Sequence, residues 1–419
     1  MSKKIFPYIT NDGSVGLYSP EFDDIYHSTY GAYSEAVEKF ILPADMEYYI
    51  TNFEKIKVLD ICYGIGYNTK SFLNFYFEKF LKNKFTVNNN TDAIYSNNNS
   101  TQIDNKNESV KTPVKDFCKN IFINAIDMDE DLVCLSPFFL TNANKIPKNQ
   151  ALPTEKVKSL SSGKLEKHFS YDTVVDLILL EKIKYILAEK TERILSLLNN
   201  TDLKSFLNKK NIKVFKRLYL DVNSKHFGWR FLRFLHNIYY CHISSRYKNA
   251  LKALQIANLD IEYNLEDARK VLLHDEQKYQ LVFLDAFTPT KCPCLWTVDF
   301  LRLIYEHLDD NGRVLTYSNS AQIRNAFINA GFYVGKIKNE RTGKFTGTIA
   351  VKNKSFIKHD LSEYDLRLVK TRAGIFYRDK SFSALNEAII EQHKKEVAES
   401  TLISSSQFIK QWEKEHKNV

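Results

Sequence analysis

Several things are scarce in this chain of 419 residues, and each shortage narrows the reading. There are six cysteines (Cys62, Cys118, Cys134, Cys241, Cys292 and Cys294), and none has the paired spacing of a zinc site. Cys292-Pro293-Cys294 is a CxC and not a CxxC, so no metal site is expected. No run of about 18 apolar residues occurs, which excludes a spanning helix of that kind and leaves no membrane partner. The longest apolar stretch, around Val174 to Leu180, fits a buried helix. The opening MSKKIFPYITNDG has no apolar core before a cleavage site, so secretion is not expected. With so few cysteines, a reducing cytoplasm is the simplest compartment. Glycine is scarce at 13 residues. Neither the GxGxxG dinucleotide fingerprint nor the Gly-Lys-Ser/Thr of a P-loop is present, since Thr69 takes the third glycine position.

What is present is globular in character. Hydrophobic residues make up 44% and charged residues 26%, and the length suits two or three units or one domain with large insertions. Lys plus Arg total 59 against 50 Asp plus Glu, a formal charge of +9 that favours polyanionic partners.

Residues 1–50 read as a hairpin and a helix. In SEAVEKFILP, residues Ala36, Val37, Phe40 and Ile41 share a face, with Ser34 as cap and Pro43 as stop. Residues 51–135 begin with a strand, a Gly turn and a helix from near Asn68, and end with the strand FINAIDMDEDL. Between them, nine asparagines from Asn83 to Asn107 make 83–112 a disordered loop by composition. Residues 136–226 are Lys-rich and amphipathic, an inserted helical lobe. Residues 227–355 resume with an aromatic and basic helical stretch (Phe227 to Leu254). Further β and α patterns follow, among them a helix LWTVDFLRLIYEHLDDNG stopped by Gly312, and two closing strands. Residues 356–419 read as a largely helical tail. The βαβαβα series with a terminal hairpin predicts a mostly parallel α/β sheet.

In such sheets ligands sit at the carboxyl ends of the strands, near the point where strand order reverses. The first strand ends Asp60-Ile61-Cys62-Tyr63-Gly64-Ile65-Gly66, where Gly64 and Gly66 allow close backbone approach. The second ends in Asp127, whose carboxylate can accept from a ribose diol or simply be solvated. Glu266 and Asp267 follow the third; Asp267 either receives an adenine amino group or caps a helix. Asp285 closes a wholly apolar strand, where an unpartnered charge is costly, and is therefore a functional candidate. Acids after three strands and a Gly loop after the first suit S-adenosylmethionine (SAM), a cation without phosphate, better than a pyrophosphate ligand.

The segments EFDDIYHS, VLDICYGIGYNTKSFL, VFLDAFTPTKCPCLWTVDFLRLI and NGRVLTYSNSAQIRNAFINAGF resemble the methyltransferase half of the MnmC tRNA wobble-uridine family. Its motifs fall on Phe22 to Ser28, Asp60 to Asn68, and Leu284 to Trp296. Lys291, Pro293 and Trp296 keep the register of the last, the most specific of the three. Cys62 stands where the family has a loop glycine, Ala286 replaces a glycine and Cys292 an asparagine. Only 68 residues follow Val351, too few for the FAD-dependent oxidase half of bifunctional relatives, so a stand-alone methyltransferase is expected.

The resemblance implies a class I (Rossmann-like) SAM-dependent methyltransferase that converts 5-aminomethyl-(2-thio)uridine to 5-methylaminomethyl-(2-thio)uridine at the wobble position (34) of tRNA. It implies Asp285 as the catalytic residue, and Asp60, Gly64, Gly66, Asn68, Asp127, Asp267, Tyr26 and Ser28 around SAM. Phe287, Pro289, Lys291 and Trp296 would meet the substrate base, with Trp296 stacking on it or buttressing the loop. Arg230 and Arg246 would meet the backbone of the anticodon loop. The rivals are an aminopropyltransferase or another small-molecule methyltransferase on the same sheet, and a non-catalytic tRNA-binding protein.

Overall fold

The computed structural model describes residues 6–79, 120–145, 165–166, 168–216 and 258–416. The asparagine-rich loop, the helical stretch after Phe227, and with it Arg230 and Arg246, lie outside the described residues.

Seven strands form the central sheet: β4 (Lys55–Ile61), β5 (Asn120–Ile126), β6 (Asn258–Asn264), β7 (Tyr279–Leu284), β8 (Leu308–Thr316), β9 (Tyr333–Lys338) and β10 (Phe345–Val351). Their order is β6-β5-β4-β7-β8-β10-β9. Strands β4 to β8 run parallel, and β10 is antiparallel to both β8 and β9. Alternate residues of a strand face opposite sides. Ile56 and Val58 therefore enter one apolar layer with Phe40 and Phe72, while Leu59 and Ile61 enter the other with Leu301 and Phe327. Burial on both faces explains why β7 reads as an apolar run interrupted by Gln280 alone.

The N-terminal segment forms a separate three-stranded antiparallel sheet of β1 (Phe6–Ile9), β2 (Val15–Ser19) and β3 (Asp24–Ile25). The helix after it departs from the sequence reading at both ends. It starts at Ala32, which leaves Ser34 buried inside it and not capping. A π turn, Val37–Ile41, follows, and Pro43 then sits in the first turn of the short helix Leu42–Ala44, where its missing N–H costs nothing. The stop is Asp45, at φ +56°.

A second correction concerns Gly312. The helix Val298–His307 ends before it, and Gly312 lies within β8. A β-carbon there would stand 2.8 Å from the Tyr279 carbonyl oxygen, so this glycine permits the close approach of β7.

The apolar stretch at Val174 forms the buried helix Val174–Lys182. It is tied to the helix over 67–79 by a fully buried ion pair, Lys70 to Asp176 at 3.3 Å. Lys70 Nζ also donates to the Ser136 carbonyl at 2.7 Å, and Tyr171 donates to Asp176 at 2.9 Å.

Candidate functional site

Strand register puts the site together. Ile61 pairs with Ile126 and Leu284, and Ile126 pairs with Asn264, so four parallel strands end level. The residues that follow them, Cys62, Asp127, Glu266 and Asp285, emerge along one edge, at the switch point between β4 and β7. A cavity of about 630 Å³ opens there.

Its lining is strongly one-signed. Among the described residues, eight carboxylates reach it, from Glu21 and Asp24 in the N-terminal segment to Asp285, against Arg269 as the one lysine or arginine. Arg269 is itself neutralised by Asp267 at 2.6 Å and Asp379 at 2.8 Å. Such a wall disfavours phosphate and complements a cation, which is what the chemistry of SAM requires.

The Gly loop is shaped by three left-handed residues. Gly64 has φ +55°, and a β-carbon on it would make only ordinary contact with Tyr26 at 3.8 Å, so it is the left-handed backbone and not crowding that favours glycine there. Gly66, at φ +79°, serves packing: its β-carbon would fall 2.4 Å from the Tyr63 ring. Cys62, with φ +65°, adopts the conformation its β-carbon disfavours, and its thiol lines the cavity. Asp127 holds the loop, accepting from Gly64 N–H at 2.7 Å through one oxygen and from Asp129 N–H at 2.7 Å through the other.

Asp285 is partly open to the cavity, and Asn68 Nδ2 donates to its Oδ2 at 3.0 Å. Burial, followed by the nearby charge of Glu35, pushes its pKa up to about 7. Burial also works against ionising Glu35, but the ammonium of Lys39 and the Ser28 N–H at 2.9 Å outweigh it and hold Glu35 below its ordinary value. One carboxyl held ionised beside another poised near neutrality is the arrangement that divides electrostatic and proton-accepting roles.

Behind the loop, Asp60 is fully buried and does not line the cavity. It accepts from the Thr69 hydroxyl at 2.7 Å, and Asn68 lies within hydrogen-bonding reach. Burial raises its pKa to about 7. Asp60 Oδ1 and Asn68 Oδ1 both lack a partner among the described residues, and a proton on Asp60 would supply one.

Of the residues singled out in the sequence, Tyr26, Ser28, Gly64, Asp127, Asp267, Asp285 and Phe287 meet at the cavity. Asp60, Gly66 and Asn68 support it from behind, and Pro289 and Lys291 lie outside its wall. Asp267 caps the helix Ala268–His274 and directs its carboxylate to Arg269. Trp296 is fully buried, so it buttresses the loop and cannot stack on a base; its indole N–H donates to the Phe287 carbonyl at 2.8 Å. Phe287 in turn stacks on Phe22 with centroids 4.5 Å apart and meets Tyr26 edge-on at 4.7 Å. Sequence reasoning missed Glu35, Arg269 and the segment Ala384 to Asn386, all in the wall. No local pattern marks them, because only tertiary packing brings them there.

Residues 234–353 match the model of a family described as S-adenosyl-L-methionine-dependent methyltransferase. An uncharacterized protein from Methanocaldococcus jannaschii is 33% identical over 154 residues, which cover 36% of this chain and 43% of that protein. The crystal structure of MNMC2 from Aquifex aeolicus is similar with a TM-score of 0.51 at 20% identity, covering 95% of this chain and 87% of that one. At that identity the likeness speaks for the fold. The matched segment is that of a SAM-dependent methyltransferase family, and the fold that carries it is a mostly parallel seven-stranded sheet.

Proposed function

We propose that this protein transfers the methyl group of SAM to the amine of 5-aminomethyl-(2-thio)uridine at the tRNA wobble position, in the cytoplasm. The observation that carries this reading is Asp285: a carboxyl poised near neutrality, at the switch point of the sheet, in a cavity walled by carboxylates. Residues 51–135 and 227–355 form the methyltransferase unit in this reading, with 136–226 inserted. An N–C bond forms as the C–S bond breaks, and the C–S electron pair stays on sulfur as the sulfonium becomes a neutral thioether.

The chain's part is orientation and proton handling. Asp127 and the Gly64 backbone suit the ribose, while Ile126, Met128 and Leu385 offer apolar surface to the adenine. Phe287, fixed between Phe22 and Tyr26, walls the base pocket. Asp285, held by Asn68, orients the amine and takes its proton, which a base of pKa near 7 does well at neutral pH. Collinear placement of nitrogen, methyl and sulfur supplies much of the acceleration. An anticodon-loop base is unpaired and can enter such a pocket without melting a duplex.

The test is incubation with labelled SAM and tRNA lacking only this modification, followed by nucleoside analysis. Label in 5-methylaminomethyl-uridine supports the reading. Label confined to small-molecule acceptors, or no transfer at all, refutes it.

A further inference from the structure

A second cavity has a volume of about 560 Å³. It lies against β9, the turn leading to β10, and the segment Phe356 to His359. The two cavities share one helix: Glu35 lines the first and Glu38 the second, three residues and about 5 Å of helical rise further on. Their polarities are opposite. The first is walled by carboxylates, whereas the second gathers Arg313, Lys336, Lys338, Arg341 and Lys358 around Glu38 and Glu340.

Three of these cations are already matched. Arg313 meets Asp45 at 3.3 Å, Lys336 meets Asp365 at 3.0 Å, and Arg341 meets Glu38 at 3.4 Å. Lys338 and Lys358 have no acidic partner among the described residues. Two unmatched ammonium groups at one concavity repel each other and attract an anion. Two lining residues meet on one aromatic ring behind the wall: His168 stacks on Tyr30 with centroids 5.6 Å apart, and the Arg341 guanidinium sits 4.9 Å over the same ring.

A nucleotide whose base carries an aminomethyl group is positive at the base and negative at the backbone, the complement of an acidic first cavity and a basic second one. We propose that the second cavity binds a backbone phosphate of the RNA whose modified base enters the first, with Lys338 and Lys358 as the groups that meet the phosphate. This rests on the RNA substrate proposed above and names where its backbone is held.

The test uses the full chain and a fluorescent anticodon stem-loop RNA titrated at several salt concentrations. Replacing both Lys338→Glu and Lys358→Glu should weaken RNA binding at least tenfold, and should lower the log–log salt slope by about 0.7 to 0.9 as the one phosphate contact is lost. SAM affinity, measured by calorimetry, should not change. Lys338→Arg with Lys358→Arg keeps the charge and should keep the binding. Wild-type slope and affinity in the double glutamate variant would overturn the proposal, as would loss of binding in the double arginine variant or absence of RNA binding by the wild type. The two proposals fail separately. A wild type that methylates tRNA beside an unaffected glutamate variant refutes only the phosphate site. A wild type that methylates no tRNA, yet binds RNA through these lysines, refutes only the substrate.

Discussion

Replacing Asp60 by asparagine isolates a proton that the fold retains against its ordinary chemistry. Asp60 is fully buried, has no cationic partner among the described residues, and holds its proton up to about pH 7 against 3.8 for the ordinary carboxyl. In the unfolded chain the group ionises first, so between these values the folded state binds more protons and stability falls as pH rises. The expected slope is about 1.4 kcal/mol per pH unit, and the whole difference is on the order of 4 kcal/mol. It is complete near pH 7 and flat above. Asp60→Asn keeps the acceptor for Thr69 and offers a permanent donor in place of the proton, so this dependence should vanish. Urea unfolding of both proteins at intervals from pH 4.5 to 8.5 measures it, because every other titrating group cancels in the difference. The variant should gain on the wild type from pH 4.5 to 7 and then run parallel. A constant difference across the range would show that Asp60 is ionised in the folded protein and that the buried chain through Asn68 to Asp285 has no proton of its own.

Asp285→Ala should lower methyl transfer by two to four orders of magnitude, roughly the loss expected for a positioned base, while SAM binding changes little in calorimetry. In the wild type, transfer should rise with pH through about 7 as Asp285 loses its proton, and Asp285→Asn should lack that rise in a stopped-time assay. Lys70→Met leaves Asp176 buried without its cation and should cost about 3 to 5 kcal/mol in denaturant unfolding. Trp296→Phe removes the hydrogen bond to the Phe287 carbonyl, about 0.5 to 1.5 kcal/mol, and should lower kcat more than it raises the SAM dissociation constant.

The strands were legible because burial on both faces leaves an apolar run such as YQLVFL, and because each run ends where polar residues begin. Asp285 stood out for the same reason: it is the first charge after such a run. What escaped was decided elsewhere in the chain. Pro43 looks like a stop until a π turn puts it at the start of the next helical segment. Gly312 looks like a helix terminator, yet its position is dictated by Tyr279 on the neighbouring strand. Asp60 carries the signature of a ligand-binding strand end, but its side chain points back to Thr69. Glu35 lies on a helix with no motif of its own, and its importance comes from Lys39, Ser28 and Asp285 converging around it.

The wall formed by Ala384, Leu385 and Asn386 has a consequence for biogenesis. The cavity begins at Glu21 and is closed by Asn386, which accepts from the Cys294 N–H at 3.3 Å, while Asp379 holds Arg269 in place. A nascent chain exposes its first strands long before those residues leave the ribosome, and domains assemble as their segments emerge. Until residue 386 is free, the acidic pocket stands open on one side, with Arg269 held by Asp267 but not yet by Asp379. A ribosome-stalled chain ending before Asp379 should therefore contain a sheet yet retain no SAM on filtration, so ligand capture becomes a late checkpoint that reports synthesis past that point.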